Sequence, residues 1–198
     1  MVDEARLEES ESYAGVAPAT DGWFVVNVQD AAWITNDAFG AACIFEGNDV
    51  DFPHIGFTLG VLQPGQPSGL YHREANQEDF LVLSGECLLL VEGEERQLRA
   101  GDFVHCPPGT DHIFVGAGEG PCVIFMAGAR TGWPDKGIVY PRSDLARKHG
   151  AGRRGGDERA LGGVRALPEL AAGMAGRLER TALGVDDCRR PTFSASGR

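Results

Sequence analysis

The chain has 198 residues, a formal net charge of −11 and 42% hydrophobic residues, among them three Trp and ten Phe. That length can bury a sizeable core, and the acidic balance excludes nucleic acid as the main partner. The charge is divided unevenly: residues 1–126 carry 21 acidic and 4 basic groups, whereas residues 127–198 carry 8 acidic and 14 basic. The basic end reads as a solvated segment, or as one that folds back on an acidic body.

Five cysteines, Cys43, Cys87, Cys106, Cys122 and Cys188, form no CxxC pair. Their odd number and spacing suggest reduced thiols in a cytoplasmic protein, three of them set in apolar runs as small core residues. The acidic start, Met1-Val2-Asp3-Glu4, has no apolar signal core, and no apolar run approaches the ~20 residues of a spanning helix. A soluble protein with no membrane partner is expected.

In chain order, residues 1–21 read as a flexible acidic segment with a short helix near Ala5–Glu9. Residues 22–128 read as a dense succession of short strands. The first is Trp23–Val28, rich in aromatic and β-branched residues; Ala41–Glu46 and His54–Leu62 follow. The spacing then tightens through Tyr71–Glu74, Glu78–Leu83, Glu86–Val91, Arg96–Leu98, Phe103–Cys106, His112–Val115 and Cys122–Ala127. Gly85, Gly93, Gly101 and Gly109 punctuate the turns. Short strands at this interval, with no long helix between them, indicate an all-β sandwich or closed barrel.

Residues 129–149 read as extended coil and a short helix, with Trp133-Pro134-Asp135 and Tyr140-Pro141-Arg142 lying against the barrel. Ser143 caps the helix Asp144–His149, which Gly150 stops. Residues 150–198 form a Gly/Arg-rich tail in which Leu170, Met174 and Leu178 mark a marginal helix. Within it Gly150-Ala151-Gly152-Arg153-Arg154-Gly155 matches a dinucleotide fingerprint, but no strand precedes it, so that reading is rejected.

The chemistry concentrates in Tyr71-His72-Arg73-Glu74-Ala75-Asn76-Gln77-Glu78 and in Pro107-Pro108-Gly109-Thr110-Asp111-His112. An extended chain would hold His72 and Glu78 about 20 Å apart, so the two can share an ion only if the chain reverses at Ala75-Asn76-Gln77. The expectation is a metal site folded from two adjacent strands, with His72 and Glu74 on one face. Glu74 and Glu78 would then be close like charges, which a cation or a shared proton must relieve. Phe80 and Phe114 are candidates for the pocket wall, while Tyr71 and Arg73 should face away. His105 and Cys106 should point to opposite faces, which argues against a His–Cys pair.

These two stretches resemble the motifs of the cupin superfamily. One motif runs Gly101, Pro107, Gly109 and His112, with Gly116 where Asn is common. The other, anchored on Gly85, places His72 as the first histidine, Glu74 where a second histidine is usual, and Glu78 as the glutamate; Gly65 lies one residue early for the opening glycine. The resemblance implies a cupin-type β-barrel (a double-stranded β-helix, or jelly roll) over residues 22–128, and pairing into a homodimer.

His72, Glu78 and His112 are similar to the iron-binding set of 3-hydroxyanthranilate dioxygenase-like cupins. Their substrate-binding arginine has no counterpart in Ile113-Phe114-Val115-Gly116. The resemblance thus implies one divalent metal on His72, Glu78 and His112, with Glu74 as a fourth ligand, an outer carboxylate, or the catalytic acid or base. Fe(II) and Mn(II) suit that donor set, with Zn and Ni open. The expected activity is dioxygenase-like oxidation of a small organic substrate. A metal-dependent isomerase or epimerase, and a non-catalytic cupin that binds a sugar or metabolite, are the alternatives.

Overall fold

A computed structural model describes residues 1–131 and 137–153. Its largest sheet has six strands in the order β10 (Phe103–Cys106), β7 (Glu78–Ser84), β12 (Cys122–Ala129), β5 (Ile55–Leu62), β4 (Gly40–Ile44) and β3 (Ala32–Asn36). Facing it is a three-stranded sheet, β11 (His112–Ala117), β8 (Glu86–Val91) and β9 (Glu94–Arg99). A short pair, β6 (Arg73–Glu74) with β13 (Ile138–Val139), closes one end. All these strand pairings are antiparallel.

Alternation along the strands explains where the core sits. Phe80 and Val82 of β7, Cys87 and Leu89 of β8, Phe114 of β11 and Ile124 of β12 form one buried cluster between the sheets. The other face of the small sheet, Leu90, Ile113 and Val115, packs against Tyr71 and against Leu145 and Ala146 of the helix α1 (Asp144–Lys148). Ser143 caps that helix, its Oγ accepting from the Ala146 N–H at 3.1 Å. At the turn between β7 and β8, Gly85 has φ of 73°, and a Cβ there would stand 2.4 Å from the Pro121 carbonyl oxygen. Only glycine suits that combination.

The amino-terminal region differs from its reading in the sequence. Residues Leu7–Glu9 (β1) pair with Val16–Pro18 (β2), so a small hairpin replaces the expected helix near Ala5–Glu9. Trp23–Val28 is no ladder strand: only Trp23 makes a bridge, to Glu4. Val26 and Val28 instead pack with Trp33, Cys43, Leu59 and Phe125 on the outer side of the large sheet. The aromatic and β-branched content that suggested a strand thus serves as a cover. The strand itself lies further on, at Ala32–Asn36. Among the described residues no helix is long and apolar enough to cross a membrane. Trp133-Pro134-Asp135, the tail beyond Arg153 and Cys188 lie outside the described residues.

Candidate metal centre

His72 and His112 form an antiparallel bridge, the His112 N–H donating to the His72 carbonyl at 2.8 Å and the His72 N–H to the His112 carbonyl at 3.2 Å. Their rings lie 4.9 Å apart. Glu78 comes from the first position of β7 in the large sheet, two residues before Phe80, and alternation turns both inward. His72 and Glu78 therefore do converge, but not as one hairpin. The chain reverses through Asn76, which is buried, and changes sheets, so the adjacent pair is His72 with His112.

One ligand atom from each of His72, Glu78 and His112 lies within 4.8 Å of the other two. Nε2 of His112 is 3.5 Å from Oε2 of Glu78. Donors bound to one ion at roughly 2.0–2.2 Å would sit about 3–4 Å apart, so small side-chain rotations complete the set. The imidazoles are also oriented for it. His72 Nδ1 lies 2.8 Å from the Leu70 carbonyl and His112 Nδ1 lies 3.0 Å from the Thr110 carbonyl. With Nδ1–H donated to backbone, each ring presents a bare Nε2 lone pair to the centre, the arrangement that metal-binding histidines need.

The electrostatics point the same way. Burial, and then the neighbouring His112, hold His72 down at about 4. Burial likewise lowers His112, so both rings are neutral at ordinary pH. Glu78 is pushed up to about 8, first by burial and then by the charge of Glu74. A cation would reverse that shift and hold Glu78 ionised.

Glu74 lines the same cavity but does not join the three converging atoms. Burial raises its carboxyl, an effect partly offset by Arg130. Tyr140 stands nearby, its hydroxyl raised by burial and then by Glu74, and its ring is 6.1 Å from that of His72. The cavity measures about 490 Å³ and is lined by Phe39, Phe57, Phe80, Phe114 and Met126 beside the polar groups. Phe80 and Phe114 thus take the wall positions expected of them, while Tyr71 packs in the outer cluster and Arg73 pairs with Asp111 at 3.4 Å. His105 is exposed against Asp79, and Cys106 is buried, as opposite faces require.

Two lining residues escape a reading of the motifs alone. Arg130 follows β12 and Tyr140 follows β13, both far in sequence from the histidines. The signal for Arg130 was its place just past a strongly apolar strand whose even positions carry the core.

A barrel of two facing antiparallel sheets with two histidines and a glutamate at one end defines a β-barrel of the jelly-roll type with a candidate metal centre. The Cupin domain family profile matches residues 58–128, and the strands built on that segment form the all-β barrel of cupin structures. No curated protein matches the chain significantly.

Among solved structures, a cupin-superfamily sugar phosphate isomerase from Silicibacter pomeroyi is 22% identical, over 61% of this chain and 83% of that one, with a TM-score of 0.51. A structure from Acidithiobacillus ferrooxidans, assigned only provisionally as a sugar phosphate isomerase, is 30% identical with a TM-score of 0.42. That match covers 44% of this chain and only 56% of the other. The polyketide cyclase RemF from Streptomyces resistomycificus is 16% identical over 53% of this chain and 78% of its own, with a TM-score of 0.46. The likeness to the Silicibacter pomeroyi structure speaks to the fold alone.

Proposed function

We propose that the chain is a metal-dependent cupin enzyme that carries out dioxygenase-like oxidation of a small organic substrate. The observation that carries this reading is the convergence of His72, Glu78 and His112 on one wall of an open cavity. Two imidazoles and one carboxylate, with the remaining positions facing free space, suit Fe(II) or Mn(II). Such an ion, when bound, supplies Lewis acidity and one-electron chemistry.

The chain's own residues do the rest. The backbone carbonyls of Leu70 and Thr110 fix the two ring tautomers. Phe80 and Phe114 exclude water from one side of the site. Glu74, whose carboxyl is raised by burial, can hold or release a proton at its carboxylate oxygen beside the substrate space. The buried thiols Cys43, Cys87, Cys106 and Cys122 support a reducing, cytoplasmic setting.

A second reading is favoured by Glu74 itself. A carboxyl that stands apart from the converging atoms, with Tyr140 next to it, is placed for the proton transfers of a metal-dependent isomerase or epimerase. Metal analysis combined with an oxygen electrode separates the two. Bound redox metal with substrate-dependent oxygen uptake is expected. Metal without uptake sinks the oxygenase and leaves the isomerase; an intact, metal-free protein sinks both.

A further inference from the structure

Arg130 stands in the cavity wall, one residue past β12, its backbone N–H donating to the His54 carbonyl at 2.9 Å. Its guanidinium grips Glu46 end-on. Nη1 donates to Oε1 and Nη2 to Oε2, each at 2.6 Å, and Nη1 also donates to the Phe52 carbonyl at 3.1 Å. The Arg130 side chain is 22% exposed and that of Glu46 16%, so the pair is fixed rather than solvated.

A guanidinium has five N–H donors in a rigid fork. Three are used. The other two, Nε–H and the outer Nη2–H, lie side by side along one edge, and no acceptor among the described residues meets them. Gly56 lets the guanidinium lie this close to β5, since a Cβ there would stand 2.6 Å from Nη2 and 2.8 Å from Nε. Its cross-strand partner is another glycine, Gly128, which also lines the cavity and leaves room toward Glu78. Glu74 feels the charge of Arg130 but makes no ion pair with it.

We propose that the Nε–Nη2 edge of Arg130 receives the carboxylate of the substrate, with Glu46 as the positioning residue that holds the edge in place. This rests on the reading of the cavity as the substrate site, and it adds a substrate class: a small monocarboxylate with an apolar body. Two parallel N–H groups match the two oxygens of a carboxylate. A dianionic phosphate fits poorly. Arg130 is the only Lys or Arg among the described lining residues, Glu46 already balances its charge, and Glu74 and Glu78 add carboxyl groups. Phe39 and Met126 suit a hydrocarbon body.

The test is calorimetric titration of the full chain, as purified and after chelation, with benzoate, benzamide and phenyl phosphate. Benzoate is expected to bind at least about tenfold tighter than benzamide in both preparations, the range for hydrogen bonds to a charged group. Phenyl phosphate should bind more weakly than benzoate. Removing Arg130 alone would leave Glu46 buried and unpaired, so the informative variant is Glu46→Gln with Arg130→Met, its fold checked by circular dichroism. That variant should bind benzoate and benzamide alike. Glu46→Gln alone removes the charge that balances Arg130, so phenyl phosphate should gain on benzoate while benzamide is unchanged, a selectivity that a merely structural role would not produce.

No preference for benzoate in the wild type, or a preference that survives in the double variant, overturns the proposal. Tighter binding of phenyl phosphate overturns the monocarboxylate class. Because the preference is read with and without metal, a chain that binds no metal removes the preceding reading and leaves this one standing.

Discussion

Lowering the pH should release the metal, and the structure says by how much. In the metal-free protein Glu78 is pushed up to about 8, while His72 is held at about 4 and His112 below its ordinary value. Near neutrality, then, a proton competes with the ion at Glu78 and not at the imidazoles. With one competing proton of that affinity, binding is weakened about twofold at pH 8, about tenfold at pH 7 and about a hundredfold at pH 6. The dissociation constant for Mn(II), read from the signal of the free ion in electron paramagnetic resonance, should therefore rise about fiftyfold between pH 8 and pH 6. Calorimetry in buffers of different ionisation enthalpy should find about one proton released per ion at pH 6.

Glu74→Gln supplies the control. Burial is the larger cause of the shift at Glu78 and the charge of Glu74 the second, so the variant should displace the profile toward lower pH without abolishing it. A dissociation constant that moves less than about threefold over this interval, or binding without proton release, would refute the reasoning.

The same carboxyl fixes the sign of a stability effect. Its pKa is raised on folding from the ordinary carboxylate range to about 8. Its stabilising contribution is therefore complete below the unfolded value and is lost as the pH rises through the folded one. Chelated protein should be less stable at pH 8 than at pH 6.5 by about 2 kcal/mol in denaturant titrations; equal stability would contradict the assignment. His112→Ala should remove most of the metal measured by elemental analysis, and the hole beside Phe80 and Phe114 should cost about 2–4 kcal/mol while the β-sheet dichroism persists. Unchanged metal content would contradict its role as a ligand. Gly85→Ala forces a Cβ against the Pro121 carbonyl oxygen and the Cys122 Cα, both backbone atoms, so a loss of about 2 kcal/mol or more is expected; a loss below about 1 kcal/mol would show that the turn relaxes. Light scattering should give two chain masses, with the edge strand β10 and its exposed Phe103 as the pairing surface. Phe103→Glu should return one mass, and a single mass in the wild type would exclude the dimer.

The fold was legible because its signals are local. Alternation and turn glycines located β5 and β7 to β12 to within about one to three residues, and Ser143 and Gly150 bounded the helix between them. The clearest exception has a plain cause. Trp23–Val28 has strand chemistry but spends it on covering the large sheet, and nothing in its pattern distinguishes a cover from a rung. The candidate ligands were legible from spacing, yet the way they meet was not, because the buried Asn76 carries the chain between sheets where a hairpin was expected. Arg130 offered only its place past an apolar strand, for the opposite reason. Its meaning depends on Glu46, 84 positions away, a pairing that only the folded sheet brings about.

Both imidazoles belong to one wall of the sandwich, while Glu78 belongs to the other. An ion held by all three is accordingly a clasp, drawing together the rims of two layers that otherwise meet through hydrocarbon. Stripping it should loosen this mouth first and leave the opposite end, sealed around Gly85, Cys87 and Cys122, unchanged. Amide exchange would then report the loading of the centre as a gradient of protection running down the length of the barrel.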